Sequence, residues 1–185
     1  MSDAVPGGGF LRWATQDWKA NAGYPDSQLL LVAFRTAQWA VRRWGLPGRA
    51  LAFGYSLFTS LFVGVELPPG LEVGPRLRVF HPHGIVLNPG VRLGADCVLR
   101  QHVTIGNVVR RDGSEKGVAS AGDDVEFGAG CVVVGAVHVG SHARVGALSL
   151  VLRDVPEWGV VLGVPAELVR VDDPGYRRPE AASEV

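Results

Sequence analysis

A period of six in the apolar residues restricts what this chain can fold into more than any other feature of it. From residue 121 on, Ala121, Phe127, Val133, Val139, Val145 and Val151 hold one position of the repeat, and Val125, Cys131, Val137, Ala143, Ser149 and Val155 hold the position four residues later. A lone helix repeats at about 3.6 residues and a strand at about 2, so neither explains the spacing. A unit this short cannot enclose a core and must stack on copies of itself. Each hexad then supplies one short strand, three hexads complete a coil, and successive coils share one continuous interior. The result is a parallel β-helix, mainly β in class, in which small position-five residues fit beside large position-one residues because a triangular interior is narrow. Upstream, Val73, Val79 and Ile85 keep the step; it slips by two residues at Asn88-Pro89-Gly90, which reads as a bulged corner, and resumes at Leu93, Leu99 and Ile105.

The half before Pro68-Pro69 follows helical spacing instead. Leu29, Leu30, Val32, Ala33, Thr36, Ala37, Ala40 and Val41 trace one face, with Arg35, Arg42 and Arg43 mostly off it. Asp26 or Ser27 is placed to cap that helix, and Gly45 followed by Pro47 to end it and begin the next. Trp13, Trp18, Trp39 and Trp44 read as packing residues of a helical lid. The stretch from Ala50 to Val65 is uncharged but shorter than the roughly 20 residues that span a bilayer, so it is expected as a buried helix, with peripheral membrane contact as the alternative. The expected organisation is a helical segment over 1–64, a β-helix over 65–170 and a disordered tail over 171–185.

Charge and cysteine content exclude several classes. With 18 basic and 18 acidic residues, no net field favours nucleic acid or an anionic polymer. Cys97 and Cys131 fall inside the apolar repeat and read as small buried hydrophobes rather than a disulfide or metal pair. The first residues lack the pattern of a secretory signal, which makes the cytoplasm the expected location.

The hexads VGSHAR, VGALSL and VLRDVP, the closing turn Gly163-Val164-Pro165-Ala166, and the segment from His81 to Gly106, with GIV after the histidine and VTIG downstream, together resemble the serine acetyltransferases of the hexapeptide-repeat superfamily. The resemblance covers about residues 62 to 170, and it alone supplies the left hand of the β-helix, since parallel connections are ordinarily right-handed. It implies transfer of an acetyl group from acetyl-CoA to a hydroxyl, with no metal, in a homotrimer or a dimer of trimers. It places His81 as the general base, and Glu66, fifteen residues upstream, where the family carries the aspartate that holds the histidine. Phe80 replaces the family's acidic residue. The cofactor is expected along a groove between subunits, against Gly106, Gly128, Ala129, Gly146 and Ala147, with Arg144 near its phosphates and Gly163 in the closing turn. His83, His102, Arg110 and Arg111 are candidates for acceptor binding.

The chemistry accounts for such a pair. An alcohol attacks a thioester efficiently only if its proton leaves as the bond forms, and an imidazole with an ordinary pKa of ~6.5 accepts it at neutral pH. A carboxylate on the other ring nitrogen fixes the tautomer and stabilises the imidazolium. No Gly-x-Ser-x-Gly elbow or reactive-cysteine context is present, so direct transfer is expected rather than an acyl-enzyme. Between Ile105 and Ala121 the hexads stop, and a charged segment leaves the coil as a loop, expected as a flap over a neighbouring subunit's site. There, Gly117 and Val118 stand where the serine acetyltransferases carry an arginine and a second active-site histidine. The helical part is also shorter than in full-length cysteine-biosynthesis members and is more similar to compact ones, some of which act in polysaccharide pathways. A sugar or specialised-metabolite hydroxyl is therefore a rival to L-serine. The final residue, Val185, is not the isoleucine with which related enzymes dock cysteine synthase, so that partner is not expected. Two other classes remain as alternatives. One is a metal enzyme built on His81, His83, His102, His138 and His142, whose spacing does not match the known pattern; the other is a non-catalytic scaffold.

Overall fold

The structure, a computed structural model, describes residues 9–109 and 115–172. Among these, the chain winds repeatedly through three sheets. One stacks Glu72–Val73, Arg92–Leu93, Ser120–Ala121 and His138–Val139, and the second stacks Val86–Leu87, Thr104–Val109, Val132–Val134 and Leu150–Val151. The third stacks Arg78–Val79, Val98–Leu99, Glu126–Phe127, Arg144–Val145 and Gly159–Gly163, and ends in the antiparallel strand Ala166–Val171. All other pairings within these three stacks are parallel. Hexad positions one and five both point inward: Phe127, Val133, Val139, Val145 and Val151 are buried, as are Val125, Cys131, Val137, Ala143, Ser149 and Val155, while Ala121 is half-buried. Both thiols are free, and burial pushes Cys97 up to about 11 and Cys131 up to about 12.

The register moves the expected slip. Val86 partners Thr104 and Ser120 partners His138, each 18 residues on, whereas Glu66, Glu72 and Arg78 partner Val86, Arg92 and Val98, each 20 on. Of these five pairs only the three that straddle residues 79–85 are longer than 18, so the two extra residues lie between Val79 and Ile85. The bulge is therefore the Phe80–Gly84 corner and not Asn88-Pro89-Gly90. Leu87, rather than Ile85, holds position one; both are buried, at 1% and 0% exposure.

The helical lid is α1 (Phe10–Ala14), α2 (Pro25–Arg43) and α3 (Gly45–Phe58), followed by a wide turn over Thr59–Val63. α2 begins one residue before the expected cap: Tyr24 holds the N-cap with no side-chain bond, Pro25 supplies the first turn, and Asp26 accepts the Ser27 N–H at 2.8 Å. Gly45, at φ +56, ends α2 as expected. The buried face of α2 differs from the expected one, since Leu29 is 66% exposed and Arg35 is fully buried. Arg35 turns inward because Asp17 and the first coil supply every partner it needs. Its Nε and Nη2 donate to the two Asp17 carboxylate oxygens at 2.7 and 3.2 Å, Nη1 donates to the Val73 carbonyl and Gln38 Oε1, and Nη2 also donates to the Gly74 carbonyl. Asp17 also accepts the Leu77 N–H at 3.0 Å; Asn21 donates to the Leu77 carbonyl and accepts the Val79 N–H; and Gln38 donates to the Leu71 carbonyl. Of the tryptophans, Trp13 is buried and bonds the Arg35 carbonyl, and Trp39 packs near it, but Trp18 and Trp44 are 44% and 50% exposed.

The Ala50–Val65 stretch is not a buried helix. α3 packs through a narrow face of small residues, with Gly48 so close to the Ala40 carbonyl that a side chain would overlap it, and with Ala52 and Tyr55 on the same side. α2 already covers the coil beneath, so the rest of α3 has nothing to pack against. The excursion after Ile105 is an antiparallel ribbon, in which Thr104–Val109 extends out of the coil and pairs with Glu115–Val118. Arg110 and Arg111 lie outside the described residues, as does the tail from residue 173.

Removing one member of a buried ion pair leaves its partner uncompensated. Asp17→Ala is expected to lower the free energy of unfolding by ~3–5 kcal/mol in a denaturant titration. The raised thiols predict that Cys97 and Cys131 resist an aromatic disulfide reagent at pH 8 in the native protein, and that both react once the chain is denatured.

Candidate active site

The inserted corner brings three histidines together. His81 sits at φ +54 with its side chain exposed, and its carbonyl accepts the His83 N–H at 2.7 Å. One coil on, the His102 N–H donates to the His83 carbonyl at 2.8 Å, and the His102 ring lies against Gly84; a side chain at Gly84 would overlap that ring. Gly84 (φ +65) and His102 (φ +59) belong to a column of left-handed residues that runs up this edge, with Gly64, Gly130 and Leu148. The turn requires that backbone, which glycine adopts freely and histidine tolerates better than most residues. Two added residues make the corner wider than its neighbours, and His81, Pro82 and His83 fill it, with Pro82 buried and both histidines outward.

Glu66 is an exposed carboxylate on the edge of the second sheet. Its strand neighbour is Val86, with the Glu66 N–H donating to Ile85 and the Leu87 N–H to Glu66. The 20-residue coil therefore sets Glu66 beside a position five residues beyond His81, and no hydrogen bond joins the two side chains among the described residues. On its other side His81 meets Tyr24, edge to face at 6.2 Å, and Tyr24 also packs on Phe80 at 5.0 Å. Arg100 lies over the Phe80 ring, 5.3 Å from its centroid, and pairs with Glu126 at 3.2 Å. Tyr24 and Arg100 escaped the sequence reading. Nothing local marks Tyr24, but Arg100 follows from a 20-residue step beyond Phe80 once the insertion is correctly located.

The expected cofactor residues divide by environment. Gly128 is buried, and a side chain there would meet the Ala147 nitrogen at 2.5 Å; Gly146 is closed off by Leu162. Both glycines are thus demanded by coil stacking. Gly106 has open space where a side chain would start, Ala129 is half-buried, Ala147 and Gly163 are exposed, and Gly163 sits at φ +105. Arg144 pairs with Asp172 at 3.2 Å. The other two histidines of the metal alternative have partners of their own: His138 Nδ1 meets Ser120 Oγ at 3.0 Å, and His142 bonds Asp124 at 3.1 Å and stacks on Trp158 at 4.0 Å. Among the described residues no three His, Cys, Asp or Glu side chains are grouped to hold a metal.

Gly117 and Val118 have structural roles that close the second-histidine position. Gly117 adopts φ +32, and a side chain there would begin 2.6 Å from Ala136 Cβ, while Val118 packs over Gly90 and against the core.

Three sheets wound by six-residue units define a hexapeptide-repeat protein, here with an outward histidine at a widened corner. The chain is a homologue of the serine acetyltransferases. It is 33% identical over 140 residues to the serine acetyltransferase of Mycobacterium tuberculosis (strain ATCC 25618 / H37Rv), a match covering 76% of this chain and 59% of that protein. The structure of the serine acetyltransferase from Vibrio cholerae O1 biovar El Tor N16961 superimposes with a TM-score of 0.77 at 26% identity, covering 89% of this chain and 67% of that one. A serine acetyltransferase solved in complex with CoA matches with a TM-score of 0.72 at 25% identity, over 86% of this chain and 69% of that one. No protein-family model matches the chain.

The contact between Gly84 and the His102 ring is testable by a double-mutant cycle. Gly84→Ala alone is expected to destabilise by ~2 kcal/mol or more, from backbone strain plus displacement of the ring. In a His102→Ala background the displacement disappears, so thermal or denaturant unfolding should show a coupling of ~0.5–3 kcal/mol between the two sites.

Proposed function

We propose that the protein is a left-handed β-helix O-acetyltransferase that moves an acetyl group from acetyl-CoA to the hydroxyl of L-serine or a serine-like acceptor, acting as a cytoplasmic homotrimer. The observation that carries this reading is the widened corner, which turns His81 out of the coil wall at the position matching the family's catalytic histidine. His81 takes the acceptor proton as the acceptor oxygen bonds to the thioester carbonyl carbon. The tetrahedral centre then collapses, the carbon–sulfur bond breaks, and the CoA thiolate leaves and is protonated. Glu66 is the positioning residue, its exposed carboxylate reaching the His81 ring once the acceptor is bound. Backbone N–H groups of the same coil receive the oxyanion. Gly106, Ala129, Ala147 and Gly163 line the cofactor path, Gly128 and Gly146 keep its wall flat, and Arg144 is placed toward the phosphates. His83 and His102 face the acceptor beside His81.

One observation favours a second reading within the same class. With position 117 closed against Ala136 and Val118 turned to packing, these two positions do not supply the arginine and histidine that the family resemblance would put there to hold serine, so either Arg110, Arg111 or Lys116 takes that role or the acceptor is not free serine. A sugar or specialised-metabolite hydroxyl needs no carboxylate clamp, and the same base would serve it.

The test is thiol release from acetyl-CoA over a panel of L-serine, sugars and other hydroxyl compounds. His81→Ala is expected to lower kcat/KM on the active acceptor by ~10²- to 10⁴-fold. Turnover of another acceptor without serine turnover replaces the acceptor and keeps the class; an unchanged rate for His81→Ala removes the mechanism.

A further inference from the structure

The side of α3 that faces away from the protein is a large apolar surface that the acetyl-transfer reading leaves unused. Leu46, Phe53, Leu57 and Leu61 succeed one another at intervals of seven, four and four, opposite the Gly48 and Ala52 side that packs. Phe58 and Phe62 stack beside them, 5.4 Å between ring centroids, at 58% and 77% exposure. From Ser27 to Val65 the chain carries four arginines and no lysine, aspartate or glutamate. Arg35 is buried in the lid, but Arg42, Arg43 and Arg49 are exposed around the start of the apolar row, next to half-exposed Trp44.

An apolar helix face edged by arginine and tryptophan, with no acid, fits a helix lying in the headgroup boundary of an anionic bilayer. It lies along the surface and does not span, because α3 has 14 residues and no helix among the described residues is long and apolar enough to cross a membrane. A second copy is the poorer occupant. A two-fold contact sets a patch against itself, and the segment from Ser27 to Val65 holds no carboxylate with which either copy could pair the three exposed arginines of the other.

We propose that α3 and the turn after it dock the protein on an anionic lipid surface, with the leucines and phenylalanines at the acyl boundary and Arg42, Arg43 and Arg49 on lipid phosphates. The docking segment ends at Gly64, whose carbonyl accepts the Gly84 N–H at 2.8 Å, so lipid contact sets the His81 corner at the membrane. The proposal does not depend on the acceptor assigned above.

Co-sedimentation of the full chain with vesicles tests it. Binding to vesicles containing phosphatidylglycerol is expected to exceed binding to pure phosphatidylcholine by about tenfold or more, and to fall as salt is raised. Phe53→Ser with Phe62→Ser should weaken vesicle binding about tenfold or more. Replacing Arg42, Arg43 and Arg49 together by alanine should abolish the preference for phosphatidylglycerol, with a cooperative melting curve that shows the variant folded at the assay temperature, lowered at most by loss of the Arg42–Trp13 and Arg43–Trp39 contacts, and an unchanged mass in light scattering. No binding to either vesicle, or equal binding to both, overturns the proposal. So does a drop in lipid-free mass for the phenylalanine variant without vesicle binding, which would make this face a contact between copies.

Discussion

A stack of parallel coils has an open first turn, and the backbone groups there must be satisfied for the stack to end. Here Asp17, Asn21, Arg35 and Gln38 meet the carbonyls of Leu71, Val73, Gly74 and Leu77 and the N–H groups of Leu77 and Val79. Each such group left buried without a partner would cost ~1–3 kcal/mol. The Arg35–Asp17 pair is fully enclosed, so its charges are tolerable only because the network occupies the remaining donors and acceptors. The same clamp orients the lid. Asn21 fixes Val79, one residue before Phe80, and three residues after Asn21 the Tyr24 ring packs on Phe80 and His81. The end cap of the fold and one wall of the candidate site are therefore a single construction.

The corner at His81 shows how a repetitive fold makes a singular place. A regular coil returns every 18 residues, and each of its corners is a short left-handed turn backed closely by the next coil. Two added residues cannot enter the packed interior, where Ile85 and Leu87 already hold the two inward positions. They leave the wall instead, carrying His81 and His83 outward and letting His102 rise against Gly84 from the next coil. The candidate base lies where the repeat fails, since the residues added there are committed neither to the interior nor to the regular stacking of the coils.

The six-residue period from Ala121 onward was fully legible, since each hexad repeats its inward pair. Upstream the phase was ambiguous for a physical reason: positions five and one are two residues apart and share a face, so the apolar pair Ile85 and Leu87 satisfies two phasings. The turn-like composition of Asn88-Pro89-Gly90 then drew the slip to an ordinary corner. Arg35 was misplaced because a lone arginine in a helix is normally solvated, and its partners lie far along the chain at Asp17 and in the first coil. The apolar content of α3 suggested burial, but content does not provide a surface to pack against, and α2 had already taken it. His81 and Glu66 are nominated by resemblance alone; the rung that sets Glu66 beside Val86 required the coil length, which the misplaced slip had hidden.

The ribbon after Ile105 carries Gly117 and Val118 where the family resemblance would put an arginine and a histidine. An arginine cannot be restored at position 117 without moving Ala136, and a histidine at 118 would have to give up the packing over Gly90. Both changes follow from the path of the ribbon, which leaves the coil in register with Thr104–Val109 and returns pressed against its own stem. Under the proposed function, recognition of the acceptor falls to the corner itself, where His83 and His102 are exposed and Tyr24 packs on Phe80 and His81. An aromatic face beside hydrogen-bonding imidazoles suits a sugar ring as well as an amino acid, so under the proposed function the widened corner serves the reaction and the ribbon restricts which acceptor is admitted to it.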